Sequence, residues 1–251
     1  MALDSLQEFI TQLDGAGELH RIRQPVAAKL ELCEIADRVM KMPGGGKALL
    51  FEHVLLDNGA KSPYPVAINL FGSMRRMAMA LGVDNLDAVA ARITELIQPQ
   101  VPDGLLAKLQ LLPKLLEVAK FPPRRGSGSP PCQDIVWRGA DIDLGKLPII
   151  TCWPDDGGPY VTLTMVCSRD PKRGIRNVGM YRVQVLDRDS VAMHWQRHKV
   201  GAAHWREMAE RGDRMPVNIV VGADPASVYS ASAPLPPNVD EFLFAGFLRK
   251  S

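Results

Sequence analysis

Cysteines are scarce in this sequence, and they form no paired motif. The chain has four among 251 residues, Cys33, Cys132, Cys152 and Cys167, without Cys-x-x-Cys spacing. That pattern predicts neither a structural zinc site nor a disulfide framework. Reduced thiols are typical of a cytoplasmic protein, and this is the location we expect.

The sequence also lacks an excess of charge and a long hydrophobic run. Thirty Lys and Arg against 28 Asp and Glu give a formal net charge of +2, so we expect no nucleic-acid partner. No apolar run is long enough to span a membrane, and the acidic start MALDSLQEFITQL is unlike a signal peptide. A content of 46% hydrophobic residues predicts a globular chain with a substantial core.

Residues 1–121 have the pattern of a small α/β domain. Ser5 and Glu8 resemble a capping box in front of apolar residues at helical spacing, which predicts an N-terminal helix. A short strand is predicted near Glu18–Arg23 and a helix at about Leu32–Met42. The loop PGGGK and two apolar strands, ALLFEHV and YPVAINLFG, complete this unit.

A change of composition marks the end of this first part. Helices are predicted for most of Ser73–Lys120, and the stretch FPPRRGSGSPPC then breaks all periodicity, so we place a linker at residues 122–132. Residues 133–251 read as short strands, QDIVWRG, YVTLTMVCS, VGMYRVQVL, SVAMHWQRH and PVNIVVGA, with one helix at Gly201–Arg211. The whole is an α+β fold whose second domain has the composition of a barrel or sandwich.

Two short motifs carry weak functional signals. GGGK at Gly44–Lys47 lacks the spacing of a phosphate-binding loop and precedes a strand rather than a helix, which favours a flexible turn. GADPA at Gly222–Ala226 follows an apolar strand, and its Asp224 is placed to begin a helix.

The stretch with the most candidate functional side chains is IRNVGMYRVQVLDRDSVAMHWQRHKVGAAH. We interpret it as a hairpin of Val178–Leu186 and Val191–His198. His194 and His198 would share one side of the second strand because their separation is even. Two interpretations stay open: both histidines converge on a ligand, or they belong to a polar face turned to water.

Other polar residues leave similar alternatives. Asn177 and Arg182 have an odd separation and would face opposite sides, unless a bulge or a bend at Gly179 aimed both at one pocket. An Asn, a His and a Glu together suit Mn²⁺ or Mg²⁺ better than a thiolate zinc site. Glu241 is the available acid, although it equally suits the N-terminus of a helix, where the dipole stabilises a carboxylate.

The order of several motifs makes the chain recognisable. RNVGMYRVQVLD, HWQRHKVGA, PVNIVVGADPA, APLP and EFLFAGFLR follow one another as in the UbiD family of reversible, non-oxidative decarboxylases. The earlier segments PGGGKALLFEHV, FGSMRRMAMALG and LPIITCWPDDGGPYVT resemble the same family. The resemblance therefore covers nearly the whole chain.

The resemblance implies a split-barrel domain that binds prenylated FMN with Mn²⁺ and K⁺ at its phosphate. It implies manganese ligation by Asn177, His198 and Glu241. It also implies that Arg182 orients the substrate carboxylate or the catalytic acid, as a bidentate guanidinium can. The residues expected to line the flavin are Met180, Tyr181, Arg182, His194, Trp195, Gln196, Lys199 and Val200.

The resemblance further implies partners and a missing part. The substrate would be an aromatic or α,β-unsaturated acid, a flavin prenyltransferase would supply the cofactor, and the full-length form would be a homo-oligomer. Family members are about twice as long, so we expect an N-terminal portion whose split barrel is incomplete and which lacks the catalytic acid. Alternatives are a catalytically silent flavin-binding module or subunit and, ranked lower, a split-barrel oxidoreductase that uses ordinary FMN.

Overall fold

The computed structural model describes residues 3–97, 120–123, 126–235 and 239–249. The end of the predicted helical stretch Ser73–Lys120 and part of the predicted linker lie outside these residues. The elements of the first half are α1 (Leu6–Gly15), β1 (Leu19–Ile22), β2 (Val26–Ala27), α2 (Glu31–Met40), β3 (Ala48–Phe51), β4 (Val54–Leu55), β5 (Val66–Ile68), α3 (Met74–Ala80) and α4 (Leu86–Ile97).

The first half is built around strand β3. It lies between β1, to which it is parallel, and β5, to which it is antiparallel, while β2 and β4 form a separate parallel pair. Leu49 and Phe51 point to a core shared with α2, and Ala48 and Leu50 point to a core shared with α1. Both faces of β3 are therefore covered, which explains its unbroken apolar sequence.

The second half is mixed: among its described residues five strands come first, and three α-helices and one more strand follow. Its elements are β6 (Tyr160–Val161), β7 (Thr164–Arg169), β8 (Arg176–Met180), β9 (Val183–Val185), β10 (Val191–Met193), α5 (Val200–Glu210), β11 (Asn218–Val221), α6 (Pro225–Ser232) and α7 (Glu241–Arg249). The strands form two antiparallel sheets, β11–β7–β8 and β10–β9–β6. The described strands do not close into a barrel, and the predicted mixture of helices and sheets is confirmed.

Most predicted elements of the first half are found. Ser5 begins α1, and its Oγ accepts a hydrogen bond of 3.1 Å from the Glu8 N–H. A single turn at Pro43–Gly45 precedes β3, so the glycine-rich loop leads into a strand as predicted. The prediction of a strand at QDIVWRG is wrong, because residues 133–139 contain only short turns.

The predicted hairpin exists in a shorter form. Val191 pairs with Val185 and Met193 with Val183, in an antiparallel register. Val178–Leu186 is not one strand, however, because the chain leaves one sheet after Met180 and enters the other at Val183. Strand β10 ends at Met193, so the prediction that His194 and His198 share a strand face is wrong.

Hydrophobic packing continues across the predicted linker. Ile150 belongs to the core around α2, and the Leu30 N–H donates to the Thr151 carbonyl at 2.9 Å. Phe244 of α7 packs in a cluster with Val89 of α4. The domain bounds 1–121, 122–132 and 133–251 stay predictions. Among the described helices, none combines the length and apolar character that crossing a membrane requires.

Candidate cofactor and metal site

A cavity of about 520 Å³ lies where β8, the start of α5, the end of α6 and the start of α7 meet. Its volume falls within the range of roughly 300–1,000 Å³ that small-molecule sites occupy. Asn177, His198 and Glu241, which are distant in sequence, all line it. The remaining lining residues are Asp170, Ile175, Arg176, Val178, Gly179, Met180, Tyr181, Lys199, Val200, His204, Ala231, Ser232, Ala233, Pro234, Leu235 and Val239.

Asn177 is held in the second position of β8, directly opposite Ser168 of β7. It is only 8% exposed, and its Nδ2 has no hydrogen-bond partner among the described residues. A buried amide with unused hydrogen-bonding capacity is costly, so such a group calls for an explanation. The Oδ1 of the same amide is the atom that a cation in the cavity would use.

Glu241 opens helix α7 and is fixed against β8. Its Oε2 accepts a hydrogen bond of 3.0 Å from the Val178 N–H. The neighbouring Asp240 forms an ion pair of 2.6 Å with Arg176, whose guanidinium lies 4.6 Å from the Phe242 ring centroid. Burial raises the pKa of the Glu241 carboxyl, although the hydrogen bond from Val178 acts in the opposite direction.

His198 reaches the cavity from the turn between β10 and α5. This turn is exposed, and α5 follows it at Val200 with Lys199 as the preceding residue. Of the residues expected to line a flavin, Met180, Tyr181, Lys199 and Val200 line the same cavity as His198. The structure therefore brings one end of each predicted strand to one place.

Arg182, His194, Trp195 and Gln196 are not among the residues that line this cavity. The Arg182 guanidinium is exposed and lies 5.8 Å from the centroid of the Tyr160 ring, on the neighbouring sheet. Trp195 packs edge-on against Tyr181 at 6.2 Å between centroids. The possibility that a bend would aim both Asn177 and Arg182 into one pocket is thus not realised here.

Gly179 explains the change of chain direction after β8. A Cβ at Gly179 would lie 2.6 Å from Cε2 of Tyr181, closer than side-chain carbons approach each other. Glycine at this position lets the Tyr181 ring fold back over β8. Tyr181 is consequently buried, while Arg182 next to it turns outward.

The sequence interpretation missed two residues of this region, Ser168 and His204. The Ser168 Oγ and the His204 Nδ1 are hydrogen-bonded at 2.9 Å, and both residues are buried. Burial lowers the pKa of His204, with Asp170 and Glu207 acting weakly in the other direction. A signal was available, because His204 lies three residues after the buried Gly201 on the inner face of a correctly predicted helix.

The donors around the cavity fit a hard divalent cation. An amide oxygen, an imidazole nitrogen and a carboxylate are ligands that Mn²⁺ and Mg²⁺ accept. Within the described part of the chain, no group of three or more His, Cys, Asp or Glu side chains could hold a metal. Any metal here would therefore depend on the Asn177 amide as well as on His198 and Glu241.

Comparison with known proteins defines the class. Residues 124–251 match the model of the 3-octaprenyl-4-hydroxybenzoate carboxy-lyase Rift-related domain, and residues 10–96 match that of the carboxy-lyase N-terminal domain. Both halves of the chain therefore match models of one carboxy-lyase family. The chain belongs to the UbiD family.

Two relatives show how much of the family's length is present. The chain is 44% identical over 243 residues to an uncharacterized protein of Aquifex aeolicus, which covers 97% of this chain and 49% of that one. An uncharacterized protein of Archaeoglobus fulgidus is 41% identical over 251 residues, or 100% of this chain and 50% of the relative. The chain thus spans about half the length of the relatives it matches.

Solved structures of UbiD-class enzymes share this fold. The closed form of vanillic acid decarboxylase from Sedimentibacter hydroxybenzoicus has a TM-score of 0.81 at 24% identity, over 100% of this chain and 49% of that one. HmfF from Pelotomaculum thermopropionicum, in an evolved dimeric form in complex with prenylated FMN, has a TM-score of 0.78 at 25% identity over 98% and 50%. HmfF in complex with FMN gives 0.76 at 26% over 97% and 48%.

Proposed function

We propose that this chain carries the cofactor and metal site of a prenylated-FMN-dependent decarboxylase that acts on an aromatic or α,β-unsaturated carboxylic acid. One observation carries the proposal: Asn177, His198 and Glu241 line one cavity with several of the residues expected at a flavin. Family membership and the prenylated-FMN complex of HmfF support it.

In this proposal Asn177, His198 and Glu241 hold Mn²⁺. We include K⁺ because the family resemblance implies it. The buried carboxyl of Glu241 supports the assignment, because burial disfavours its charged form unless a cation compensates it. Asn177 would bind the cation through its Oδ1, which leaves the Nδ2 donor free for an oxygen of the cofactor. The Val178 N–H orients the Glu241 carboxylate by donating to one of its oxygens.

Prenylated FMN, when bound, supplies the electron sink for the carbanion that loss of CO₂ leaves. Met180, Tyr181, Lys199 and Val200 line the cavity in which it would lie. His194, Trp195 and Gln196, which approach from the turn beside Tyr181, stay in the proposal as outer flavin contacts.

Arg182 is the proposed group that orients the substrate carboxylate or the catalytic acid. Its guanidinium is exposed next to the buried Tyr181 and rests near the Tyr160 ring. An exposed guanidinium stays charged and binds a carboxylate through two parallel hydrogen bonds. This placement suits a substrate that arrives from solvent.

Anaerobic reconstitution of the chain with prenylated FMN and Mn²⁺ tests the proposal. We expect the flavin to co-elute with the protein only when Mn²⁺ is present, and exchange of ¹³CO₂ into a supplied aromatic acid would establish decarboxylase chemistry. No retention of flavin would contradict the proposal.

A catalytically silent flavin-binding module is the second candidate, and the half-length match to the relatives favours it. Retention of the flavin without ¹³CO₂ exchange would support this candidate instead. The wider setting is proposed on the same resemblance: a flavin prenyltransferase as cofactor supplier, a homo-oligomer in the full-length form and a cytoplasmic location. A cytoplasmic location agrees with the four cysteines, which form no disulfide.

A further inference from the structure

The hydrogen bond between Ser168 and His204 lies outside the proposed ligand set but beside it. Ser168 is 3% exposed and His204 is 8% exposed, and the bond between Oγ and Nδ1 is 2.9 Å long. A hydrogen bond in such dry surroundings holds its two ends firmly, since neither group finds water as a substitute.

Each end of this bond lies on an element next to a proposed ligand. Ser168 is the cross-strand partner of Asn177 in the β7–β8 ladder, so the two side chains leave the same face of the sheet. His204 lies on α5, which begins two residues after His198. The bond therefore ties the helix that follows one ligand to the strand beside the other.

The start of α5 is fixed by a second contact, at Gly201. Its N–H donates to the Tyr181 Oη at 3.2 Å. A Cβ at Gly201 would lie 3.1 Å from that oxygen and 3.2 Å from the Trp195 Nε1, a very close approach. This contact holds the first turn of the helix against β8, while His204 fixes the next turn.

We propose that Ser168 and His204 are positioning residues for the metal site, which set the separation between Asn177 on β8 and His198 at the entrance to α5. The inference rests on the proposed function. Their bond occupies the Ser168 Oγ and the His204 Nδ1, so in this proposal the pair acts by holding two elements together rather than by ligation. Loss of the bond lets α5 shift relative to β8 and weakens the hold on the cation.

Titration of the chain with Mn²⁺ in the presence of FMN, followed by the EPR signal of free Mn²⁺, tests this inference. We expect Ser168→Ala to weaken Mn²⁺ binding by about 10-fold, as loss of a group that orients a ligand does. Ser168→Thr keeps the hydroxyl and should bind within about threefold of the unaltered chain on the same basis. His204→Asn retains a polar atom near the position of Nδ1. Its Mn²⁺ affinity should lie between those of Ser168→Ala and Ser168→Thr.

Ser62→Ala is the matched control. Ser62 is also 3% exposed, and its Oγ donates to the Tyr64 carbonyl at 2.9 Å and accepts from the Tyr64 N–H at 3.0 Å, far from α5 in the chain. Its removal should lower the melting temperature as much as Ser168→Ala does, without changing the affinity for Mn²⁺.

Two results would overturn the inference in distinguishable ways. If Ser168→Ala lowers the melting temperature and binds Mn²⁺ like the Ser62→Ala control, the pair has only a structural role. If the unaltered chain itself does not bind Mn²⁺, the metal assignment fails, and the positioning role fails with it.

Discussion

The two halves of the molecule each contain a cavity and a buried polar side chain, but they use them differently. The first half has the larger cavity, about 1,300 Å³, against about 520 Å³ for the candidate site. Beside it Arg76 is fully buried and donates to the Gly46 carbonyl at 2.5 Å and to Glu18 at 3.2 Å. In the second half, Asn177 lines the cavity, and its buried Nδ2 has no hydrogen-bond partner among the described residues.

The larger cavity is therefore not the one whose lining suits the proposed cofactor and metal. Arg76 and Asn69 hold the PGGGK loop: Asn69 Nδ2 donates to the carbonyls of Gly45 and Lys47 at 2.8 and 2.9 Å. The fold uses most of these polar groups. Asn69 Oδ1 and Arg76 Nε also lack a partner among the described residues, but neither residue lines the larger cavity, whereas Asn177 lines the smaller one. The groups around the smaller cavity keep capacity for a ligand, which is what a binding site requires.

Replacing Arg76 should have the largest effect. Arg76→Leu leaves loop carbonyls and a carboxylate without their buried partner, so we expect the free energy of unfolding to fall by about 3 kcal/mol or more. Arg75→Leu is the control, because Arg75 pairs with the same Glu18 from a side chain that is 65% exposed and should cost less than about 1 kcal/mol. Urea denaturation measures both, and equal losses would show that burial does not matter.

Asn177→Ala should change stability little and Mn²⁺ affinity strongly. Its Nδ2 forms no hydrogen bond with the described residues, so stability should change little, whereas Mn²⁺ affinity should fall by more than the roughly 100-fold that loss of an outer contact costs. Asn218→Ala on β11, at the opposite edge of the same sheet, is the control, since Asn218 is exposed and does not line this cavity. Calorimetric titration with Mn²⁺ measures both affinities. An unchanged affinity in Asn177→Ala would show that this residue is not a ligand.

A smaller effect is expected at the cap of α1. Ser5→Ala removes the acceptor for the Glu8 N–H and should cost about 1 kcal/mol in thermal or chemical unfolding. Ser5→Asp keeps an acceptor and should restore most of the loss. Mn²⁺ affinity should stay constant in both variants, and a change would link the first half to the site.

The smallest expected effect is on the loss of stability at alkaline pH, to which Cys33 in the first half contributes. Burial, together with the neighbouring Cys152 thiol, raises the pKa of Cys33 to about 12. A pKa above the ordinary value of 9.0 means that the contribution of the neutral thiol to stability is complete below about pH 9 and declines as the pH rises towards 12. The melting temperature of Cys33→Ala should therefore decline less steeply above pH 9, and identical slopes would contradict this.

Local sequence patterns predicted the first half well because its elements are stabilised by local rules. The cap at Ser5 and the apolar run of β3 follow from spacing alone, and so does one helix of the second half, Val200–Glu210. The break after Met180 does not, because it depends on the Tyr181 ring folding over Gly179, a contact set by tertiary packing. For the same reason the outward turn of Arg182 could not be predicted.

The candidate site was predictable only through the family resemblance. Periodicity placed His194 and His198 on one strand face, whereas the structure ends β10 at Met193 and brings only His198 to the cavity. Glu241 suits a helix N-terminus and lines the cavity as well, so its two interpretations are compatible. The Ser168–His204 pair joins residues 36 positions apart, which no local pattern reports.

The central claim is that Asn177, His198 and Glu241 hold one divalent cation. Pulsed EPR of Mn²⁺ bound in the presence of FMN tests it most directly, because an imidazole ligand gives a characteristic nitrogen modulation. We predict that this modulation is present in the unaltered chain and in His194→Ala, and absent in His198→Ala. Modulation that persists in His198→Ala would contradict the account.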